Sequence, residues 1–419
     1  MSSIEARKPG FDIETHSDDH TDVAIAGAGP TGLLLAAELA MRGVRVVVLE
    51  RNAERPSFVR AFNLNARSLE ILDRRGIVER FLAEGPKAPF SHFAAVDQPL
   101  DLGSLDTDHP YVLGIPQTRT EALLEAHALE QGAEVRWGHA VFEFEQGGDG
   151  VTIQVHVAPD VASVRESYAL RARWLVGCDG GRSTVRKLAG IEFEGFTYPE
   201  RFIKIATSFD LGVANPKVAF RNYFSDPNEW CNLFKVQGKR PPGLWRAIFP
   251  IQSDETDEAV LDPDAIEARL QKFFPKSGRY EVEYVNVYGA HQRVAASFRK
   301  GRVLLAGDSA HVNNPIGGMG MNGGIHDGIN LAGKLARVIH GEAGDDLLDL
   351  YSRQRRHAAV KYVQAQTIAN KRLMEERDPA VRAKNFDELR RTAENPETAK
   401  AYMRRAALAD SLRDAAAVS

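Results

Sequence analysis

Two kinds of hydrophobic pattern alternate along the chain, and the first predicts a parallel sheet. From Thr21 to Glu50, a short apolar strand is followed by a glycine-rich turn, a helix over Leu33–Arg42 and a nearly all-apolar strand over Val44–Leu49. All-apolar strands are typical of a parallel sheet covered on both faces. Because Arg173–Gly180 and Gly301–Asp308 have the same character, we expect one sheet assembled from separated segments.

The second pattern lies between Phe196 and Tyr288 and predicts an antiparallel sheet. Five segments there read as strands separated by turn residues, and Asp262 followed by Pro263 opens a helix. Eleven of the chain's 34 aromatic residues fall within the first 54 of these positions, a density that suits a core or an apolar binding wall. From about Leu347 onward, amphipathic patterns with mixed charges predict a solvated helical cap without chemistry.

Composition excludes several classes of protein. The chain has 419 residues, a net charge of −4 and no basic tract, which argues against a nucleic-acid partner. Its two cysteines, Cys178 and Cys231, lie far apart, so we expect no disulfide framework and no metal site. Residues 1–20 are polar and read as a flexible arm without a signal peptide, and no apolar run reaches membrane-spanning length. A cytoplasmic protein without a membrane partner is therefore predicted.

The glycine-rich turn carries the pattern of a dinucleotide site. Gly27 permits a tight turn, Gly29 lets a pyrophosphate approach the backbone, and Gly32 lets the helix pack close to the strand. The helix N-terminus supplies N–H groups and a positive dipole end. Glu50 ends the next strand, where it can accept hydrogen bonds from ribose hydroxyls and would repel a 2′-phosphate. This site therefore favours FAD or NAD over NADP.

A second glycine pattern, from Gly318 to Gly323, does not predict another dinucleotide site. It follows Pro315 and a loop instead of a strand, and no second strand ending in an acid comes after it. The residues after it have helical spacing.

The nearby Asp308, Ser309 and His311 do not predict a catalytic triad. Triads are assembled across space, and no nucleophile-elbow pattern surrounds Ser309. His311 is instead interpreted as a packed or loop-capping histidine.

Three motifs together resemble those of the single-component FAD-dependent aromatic hydroxylases, the group typified by para-hydroxybenzoate hydroxylase. They are the glycine turn at Gly27–Gly32 with Glu50, "CDGGRSTVR" at Cys178–Arg186 and "GDSAH…P…GMN" at Gly307–Asn322. The resemblance runs in the family's order over Asp22–Ala336. It implies an α/β fold in which a Rossmann-like FAD-binding domain of the glutathione-reductase type carries an inserted antiparallel substrate domain and C-terminal helices.

The resemblance also implies which residues bind FAD. Asp308 would bind a ribityl or ribose hydroxyl, and Asp179 belongs to a motif shared with the nicotinamide donor. Arg60 resembles the family's pyrophosphate contact, with a surface charge as the alternative; Gln117 resembles its flavin-proximal glutamine, with a helix cap as the alternative. The full predicted set is Gly27, Gly29, Pro30, Thr31, Gly32, Glu50, Arg51, Arg60, Gln117, Asp179, Asp308, Gly320, Met321 and Asn322.

The reaction implied by the resemblance is hydroxylation of a phenolic or related aromatic or heteroaromatic substrate. NADH or NADPH reduces FAD, O₂ gives a flavin C4a-hydroperoxide, and its distal oxygen is transferred to the ring. Pro315 would face the reactive edge of the flavin. The predicted catalytic residues are Tyr223, Arg246, His291 and Pro315, with Arg221 and Arg293 as further candidates; a cation could hold a carboxylate or stabilise a phenolate. For each substrate-domain residue, a solvent-facing or salt-bridged side chain is the alternative.

The predicted domain boundaries follow from these patterns. They assign 21–90, 112–195 and 288–346 to the FAD-binding domain, 91–111 and 196–287 to the substrate domain, and 347–419 to the C-terminal helices. The partners expected are a small aromatic substrate and O₂, with a homodimer left open.

Three other functions stay open at the level of sequence. A flavin-dependent halogenase normally carries a Trp-x-Trp-x-Ile-Pro signature, whereas "GLWRAIFP" at Gly243–Pro250 has one tryptophan. An isoprenoid epoxidase or reductase would suit a membrane, and no anchoring helix is evident. A non-catalytic flavoprotein would share the same FAD motifs.

Overall fold

The computed structural model describes residues 20–56, 61–93, 100–157, 166–214, 218–236, 243–252 and 254–419. Arg60 and most of the predicted N-terminal arm lie outside these residues. The strands, in chain order, are β1 (His20–Ala26), β2 (Val46–Glu50), β3 (Asn63–Leu64), β4 (Lys87–Ala88), β5 (Phe90–Phe93), β6 (Leu100–Asp101), β7 (Val112–Gly114), β8 (Glu134–Trp137), β9 (His139–Gln146), β10 (Val151–Val157), β11 (Glu166–Gly177), β12 (Phe193–Thr207), β13 (Arg221–Phe224), β14 (Cys231–Val236), β15 (Leu244–Ile251), β16 (Val282–Ala295), β17 (Arg299–Lys300), β18 (Val303–Leu305) and β19 (His311–Val312).

The helices lie between these strands and after the last of them. In chain order they are α1 (Pro30–Ala40), α2 (Ala66–Asp73), α3 (Val78–Leu82), α4 (Gln117–Glu130), α5 (Thr184–Leu188), α6 (Leu211–Ala214), α7 (Asp257–Leu261), α8 (Pro263–Phe273), α9 (Gly320–Ile339), α10 (Asp346–Ala358), α11 (Ala365–Glu375), α12 (Pro379–Glu394), α13 (Pro396–Ala406) and α14 (Ala409–Ala416). A π-helical stretch, Ala359–Gln364, joins α10 to α11.

The parallel sheet is assembled from separated segments, as the apolar pattern predicted. Its order is β17–β18–β11–β1–β2–β8, and β1 pairs in parallel with β11 on one side and β2 on the other. Ile25 and Val176 are fully buried in its core, which helix α1 covers with Leu33. The first half of β11 was not predicted; it forms an antiparallel ribbon with β10, which continues into β9.

The antiparallel sheet confirms the second pattern. Its order is β19–β16–β12–β15–β14–β13–β5–β6, with one parallel pair between β13 and β5. One face packs against α7 and α8 around Trp245 and Phe249. The other face, with Phe202 and Phe234, points toward Phe62. Helix α8 begins as predicted, because the Asp262 carboxylate accepts hydrogen bonds from two backbone N–H groups of the first turn.

Two long strands of the antiparallel sheet cross the predicted domain boundaries. Strands β12 and β16 pair along most of their lengths, and both run across the predicted boundaries at 195/196 and 287/288. The division into domains stays a prediction.

The C-terminal helices pack against the antiparallel sheet and do not form a solvated cap. Met374, Leu389 and Met403 are buried in the same cluster as Phe202 and Phe234 of the antiparallel sheet. The prediction of a solvated helical cap is therefore wrong. An amphipathic pattern shows that a helix has an apolar face, but it does not show which surface that face covers. Among the described helices, none combines the length and apolar character needed to cross a membrane.

Candidate active site

The turn between β1 and α1 is built as a phosphate cradle. Gly27 has a φ of +105°, and a Cβ there would overlap the carbonyl of Cys178. A Cβ on Gly32 would overlap the carbonyl of Gly27, so the helix packs directly on the turn. Gly29 has no atom within 4 Å of such a Cβ, and Pro30 occupies the first helical position. The turn therefore presents bare backbone at the positive end of α1.

A cavity of about 400 Å³ extends from this turn to the start of α9. Its lining comes from the ends of β1 and β2 and from the loops that follow β11 and β18. The predicted residues that line it are Gly27, Gly29, Pro30, Thr31, Glu50, Arg51, Gln117, Asp179, Asp308, Pro315, Gly320 and Met321. Residues far apart in sequence are thus brought together in one elongated space.

Two carboxylates border this cavity near the glycine turn. One oxygen of Glu50 accepts from the Ala28 N–H at 2.9 Å, and the other accepts from the Asn52 backbone at 3.0 Å. The Asp179 Oδ2 accepts from Thr184 N–H at 2.7 Å, whereas its buried Oδ1 has no partner among the described residues. Burial raises the pKa of Asp179. An unpartnered buried oxygen on a cavity wall fits a ligand that brings hydroxyl donors.

The loop that carries Asp308 is held by hydrogen bonds to the buried Asp327. Gly307 has a φ of +64°, and its N–H donates to the Asp327 carboxylate at 3.0 Å. The His311 Nε2 lies 2.7 Å from the same carboxylate, and the Ser309 hydroxyl donates to the Ala306 carbonyl at 2.8 Å. Ser309 and His311 therefore face different partners, while Asp308 lines the cavity, which agrees with rejecting a triad.

Helix α9 begins at the cavity wall. Gly320 and Met321 line the cavity, but the buried Asn322 does not. The Asn322 amide donates to the carbonyls of Asn63 and Gly318, and its oxygen accepts from the Asn65 N–H at 3.0 Å. Its side chain thus ties β3 and the start of α2 to the start of α9.

Gln117 lies in the first turn of α4 and also lines the large cavity. Its oxygen accepts from the Ala61 N–H at 3.1 Å, and its nitrogen donates to Glu121 at 2.7 Å. It therefore faces the cavity while it holds the segment that leads to Phe62.

The predicted catalytic residues do not all come together. Pro315 lines the large cavity, and Arg246 packs over the ring of Phe62, another lining residue, at 5.4 Å. The Tyr223 hydroxyl accepts from the Gly317 N–H at 3.2 Å. His291 is exposed on β16, where its Nδ1 lies 2.9 Å from the Thr197 hydroxyl, and it lines neither described cavity.

Arg246 is a buried cation that lies beside the large cavity, over the ring of Phe62. Arg246 is 2% exposed, and neither its Nε nor its Nη1 has a hydrogen-bond partner in the described structure. Burial lowers the pKa of Arg246, while the nearby Tyr284 and Tyr288 oppose that shift. An unpaired buried cation is costly, so this position favours an incoming anion.

A second, smaller cavity of about 40 Å³ lies beside the first and shares Asn63, Gly318 and Met319 with it. Arg221 lines it from the antiparallel sheet. Its outer wall comes from the C-terminal helices, which sequence reasoning left without a role: Gln366, Asn370, Tyr402 and Met403. No sequence motif marks these residues. The apolar face of α13 was the one feature of the sequence that could have indicated that this helix packs against the site.

Comparison with known proteins agrees with this geometry. The family model described as "FAD binding domain" matches residues 20–366, and the chain belongs to that family. It is 42% identical over 351 residues to 12-dehydrotetracycline 5-monooxygenase/anhydrotetracycline 6-monooxygenase of Streptomyces rimosus, covering 81% of this chain and 67% of that protein. It is 34% identical over 379 residues to para-nitrophenol 4-monooxygenase of Pseudomonas sp. strain WBC-3, covering 87% and 89%.

A crystal structure is similar over nearly the whole chain. The p-nitrophenol 4-monooxygenase of Pseudomonas putida DLL-E4 has a TM-score of 0.85 and 31% identity, covering 94% of this chain and 98% of that one. The protein is therefore a flavin-dependent monooxygenase of the aromatic-hydroxylase class. The predicted fold and enzyme class are confirmed, and the halogenase, epoxidase and non-catalytic alternatives are not favoured.

Proposed function

We propose that this monooxygenase uses NADH or NADPH and O₂ to hydroxylate a phenolic or related aromatic ring. The balanced reaction consumes one NAD(P)H, one proton, one O₂ and the aromatic substrate, and it forms NAD(P)⁺, water and the hydroxylated ring. The observation that carries this proposal is the unpaired, buried Arg246, which lies over the Phe62 ring at the edge of the flavin cavity.

The residues of the large cavity fit FAD. The bare turn at Gly27 and Gly29 would hold the pyrophosphate, Glu50 a ribose, and Asp308 a hydroxyl of the ribityl chain. Gly320 and Met321 would lie against the ring, where the positive end of α9 stabilises negative charge. When bound, FAD supplies the redox chemistry that activates O₂.

The substrate-facing residues would act on charge and geometry. The Arg246 guanidinium would favour the phenolate, the more nucleophilic form of the ring, because an opposite charge nearby stabilises the ionised state. Tyr223 would orient the loop at Gly317, and Pro315 would face the reacting edge. The apolar surroundings of Phe62 and Phe234, whose ring centroids lie 4.6 Å apart, would exclude water.

Two arginines, Arg182 and Arg293, support an anionic dinucleotide as reductant. The His291 ring and the Arg293 guanidinium both lie within hydrogen-bond distance of the Thr197 hydroxyl. Burial, followed by the charges of Arg293 and Arg182, lowers the pKa of His291. Arg182 also lines the flavin cavity. His291 would thus act at the nicotinamide donor and not at the aromatic ring.

The two free cysteines, Cys178 and Cys231, agree with a reducing cytoplasm. Light scattering of the purified protein would test whether it forms a homodimer.

Oxygen incorporation tests the proposal. The FAD-loaded protein is mixed with NADH or NADPH and a panel of phenols under ¹⁸O₂. We expect a phenol to stimulate NAD(P)H oxidation and to acquire one labelled oxygen. A flavin that no nicotinamide reduces, or oxidation that yields hydrogen peroxide alone with every phenol, would refute the function.

A further inference from the structure

One methionine lies where the two cavities meet. The large cavity and the smaller cavity share three lining residues, Asn63, Gly318 and Met319. Of these three, Met319 alone carries a group that accepts an oxygen atom, because a thioether is oxidised to a sulfoxide whereas a carboxamide and a glycine are not. The junction of the cavities is therefore marked by one oxidisable side chain.

The Met319 side chain is shielded from bulk solvent. Met319 is 2% exposed and packs in a small cluster with Tyr362, Val363 and Leu408. Its methyl carbon Cε lies 3.7 Å from the position that a Cβ on Gly317 would take, and Gly317 lines the smaller cavity. The thioether thus lies at the wall of the smaller cavity and not at the molecular surface.

Other methionines of the chain provide internal references. Met321 lines the large cavity and Met403 lines the smaller one. Met374 is also buried but lines neither described cavity, and Met41 at the end of α1 is 43% exposed. These side chains therefore share one chemistry and differ in their position relative to the cavities.

The junction is also where an oxygen acceptor would be held. An aromatic hydroxylase transfers one atom of O₂ to a ring beside the flavin, so donor and acceptor must be in contact. The flavin would occupy the large cavity, with Gly320 and Met321 against its ring. Met319 directly precedes these residues and borders both spaces. When no aromatic ring fills the junction, its thioether is the acceptor that both cavities share.

We propose that Met319 is an internal oxygen acceptor, which is converted to methionine sulfoxide when reduced flavin meets O₂ without an aromatic substrate. An S–O bond forms as the O–O bond breaks. The reduced cofactor supplies two electrons and two protons, and the second oxygen atom leaves as water. The sulfoxide places a polar group in the apolar cluster of Tyr362, Val363 and Leu408, which disturbs packing beside the site. This inference rests on the proposed hydroxylase function and adds a modification site to it.

Isotope labelling tests the assignment without a nicotinamide. The FAD-loaded protein is photoreduced without oxygen, mixed with ¹⁸O₂ in the presence of catalase, and taken through several such cycles with no phenol present. Tandem mass spectrometry then measures the label on each methionine. We expect one ¹⁸O on Met319 and a label roughly tenfold lower or less on Met374, because Met374 is buried away from both cavities.

Dissolved hydrogen peroxide should produce the opposite pattern. When the oxidised FAD-loaded protein is treated with labelled peroxide and no catalase, Met41 should be oxidised before Met319, because susceptibility to a dissolved oxidant follows exposure. In the photoreduction cycles, a phenol that is hydroxylated should lower the label on Met319, since it takes up the same oxygen atom.

Met319→Leu and Met374→Leu form a matched pair of variants. Each replaces a buried thioether by an apolar side chain of similar volume. After the phenol-free cycles, wild-type protein and Met374→Leu should have lost phenol hydroxylation in proportion to the label on Met319. Met319→Leu should keep the hydroxylation rate that it had before the cycles.

The outcomes separate the inference from the function on which it rests. An unlabelled Met319 in protein that hydroxylates a phenol during the same cycles would overturn the internal acceptor. A stronger label on Met321, Met403 or Met41 than on Met319 in the presence of catalase would do the same. If Met319 takes up ¹⁸O while no phenol does, the hydroxylase function is wrong instead.

Discussion

A buried histidine makes the fold sensitive to acid. His326 lies inside α9 with no exposed surface, and neither ring nitrogen has a partner in the described structure. Burial, followed by the charges of Arg355 and Arg67, lowers its pKa to about 3, although Asp327 opposes the shift. The folded protein therefore keeps His326 neutral at pH values where an unfolded histidine, with a pKa near 6.5, binds a proton.

The resulting pH dependence can be measured. Since the unfolded state binds more protons below pH 6.5, the free energy of unfolding should fall as the pH drops from 7 to 5, by about 2 kcal/mol from this residue alone. Replacing it in His326→Leu should remove that part of the slope in urea titrations of the FAD-loaded protein. His357→Gln, on the half-buried side of α10, serves as the control. Identical slopes in wild type and His326→Leu would contradict the assignment.

Two glycines of the same turn should respond differently to one methyl group. In Gly32→Ala the Cβ overlaps the Gly27 carbonyl, which is rigid backbone, so we expect a loss of about 1–3 kcal/mol in unfolding free energy even without FAD. In Gly29→Ala the Cβ meets no protein atom. That variant should fold normally and lose FAD affinity.

Thermal denaturation of apoprotein, paired with FAD titration, distinguishes the two effects. Gly333→Ala, an open position inside α9, is a control that should leave FAD affinity unchanged and increase stability by about 0.5–1 kcal/mol. Equal destabilisation of the apoprotein by Gly29→Ala and Gly32→Ala would show that the turn does not use these glycines differently.

At the scale of elements, one buried carboxylate joins three segments. Asp327 of α9 accepts from Arg355 of α10 at 2.6 Å, while its other oxygen holds His311 and the Gly307 N–H. The Arg355 charge, with His311, holds the pKa of Asp327 at about 2 against the opposing effect of burial. The helix pair thereby fixes the loop that carries Asp308 into the cavity.

A double-mutant cycle tests this connection. Asp327→Asn and Arg355→Met should each cost about 3–5 kcal/mol, because each leaves a buried partner uncompensated. The double variant should lose clearly less than the sum, since both charges are gone. Asp327→Asn should also weaken FAD binding by loosening the Asp308 loop.

The exposed pair of Lys384 and Glu388, 4.0 Å apart, supplies the control for that cycle. Glu388→Gln should change stability by less than about 0.5 kcal/mol. Additive effects of the Asp327 and Arg355 variants would mean that the two side chains act independently.

The hydrogen bonds of Asp327 show why the sequence did not reveal the partner of His311. His311 was interpreted as a packed or loop-capping residue, which agrees with its buried position beside Asp327. Its partner lies sixteen positions away on a different element, however, and no local pattern connects the two. Asn322 similarly had a family role at the flavin ring, whereas its side chain bonds to β3 and α2.

At the scale of the whole molecule, hydrophobic periodicity predicted the two sheets but not how the C-terminal helices pack against them. All-apolar segments such as Val46–Leu49 can be stable only when both faces are covered, so the pattern alone indicates a parallel sheet. The second cavity depends instead on how α13 docks beside Arg221. Docking of an amphipathic helix is decided by tertiary packing, which the sequence of that helix does not specify.

The hydrogen bonds of Asn322 have a consequence for the order of events during synthesis. The bond from the Asn65 N–H to Asn322 joins positions 257 residues apart, and β1 finds its neighbour β11 only after some 150 further residues. Such non-local contacts slow folding, because the chain loses loop-closure entropy before these contacts can stabilise it. The cavity wall therefore cannot be complete on a ribosome that has not yet released α9, and cofactor loading should follow translation of most of the chain.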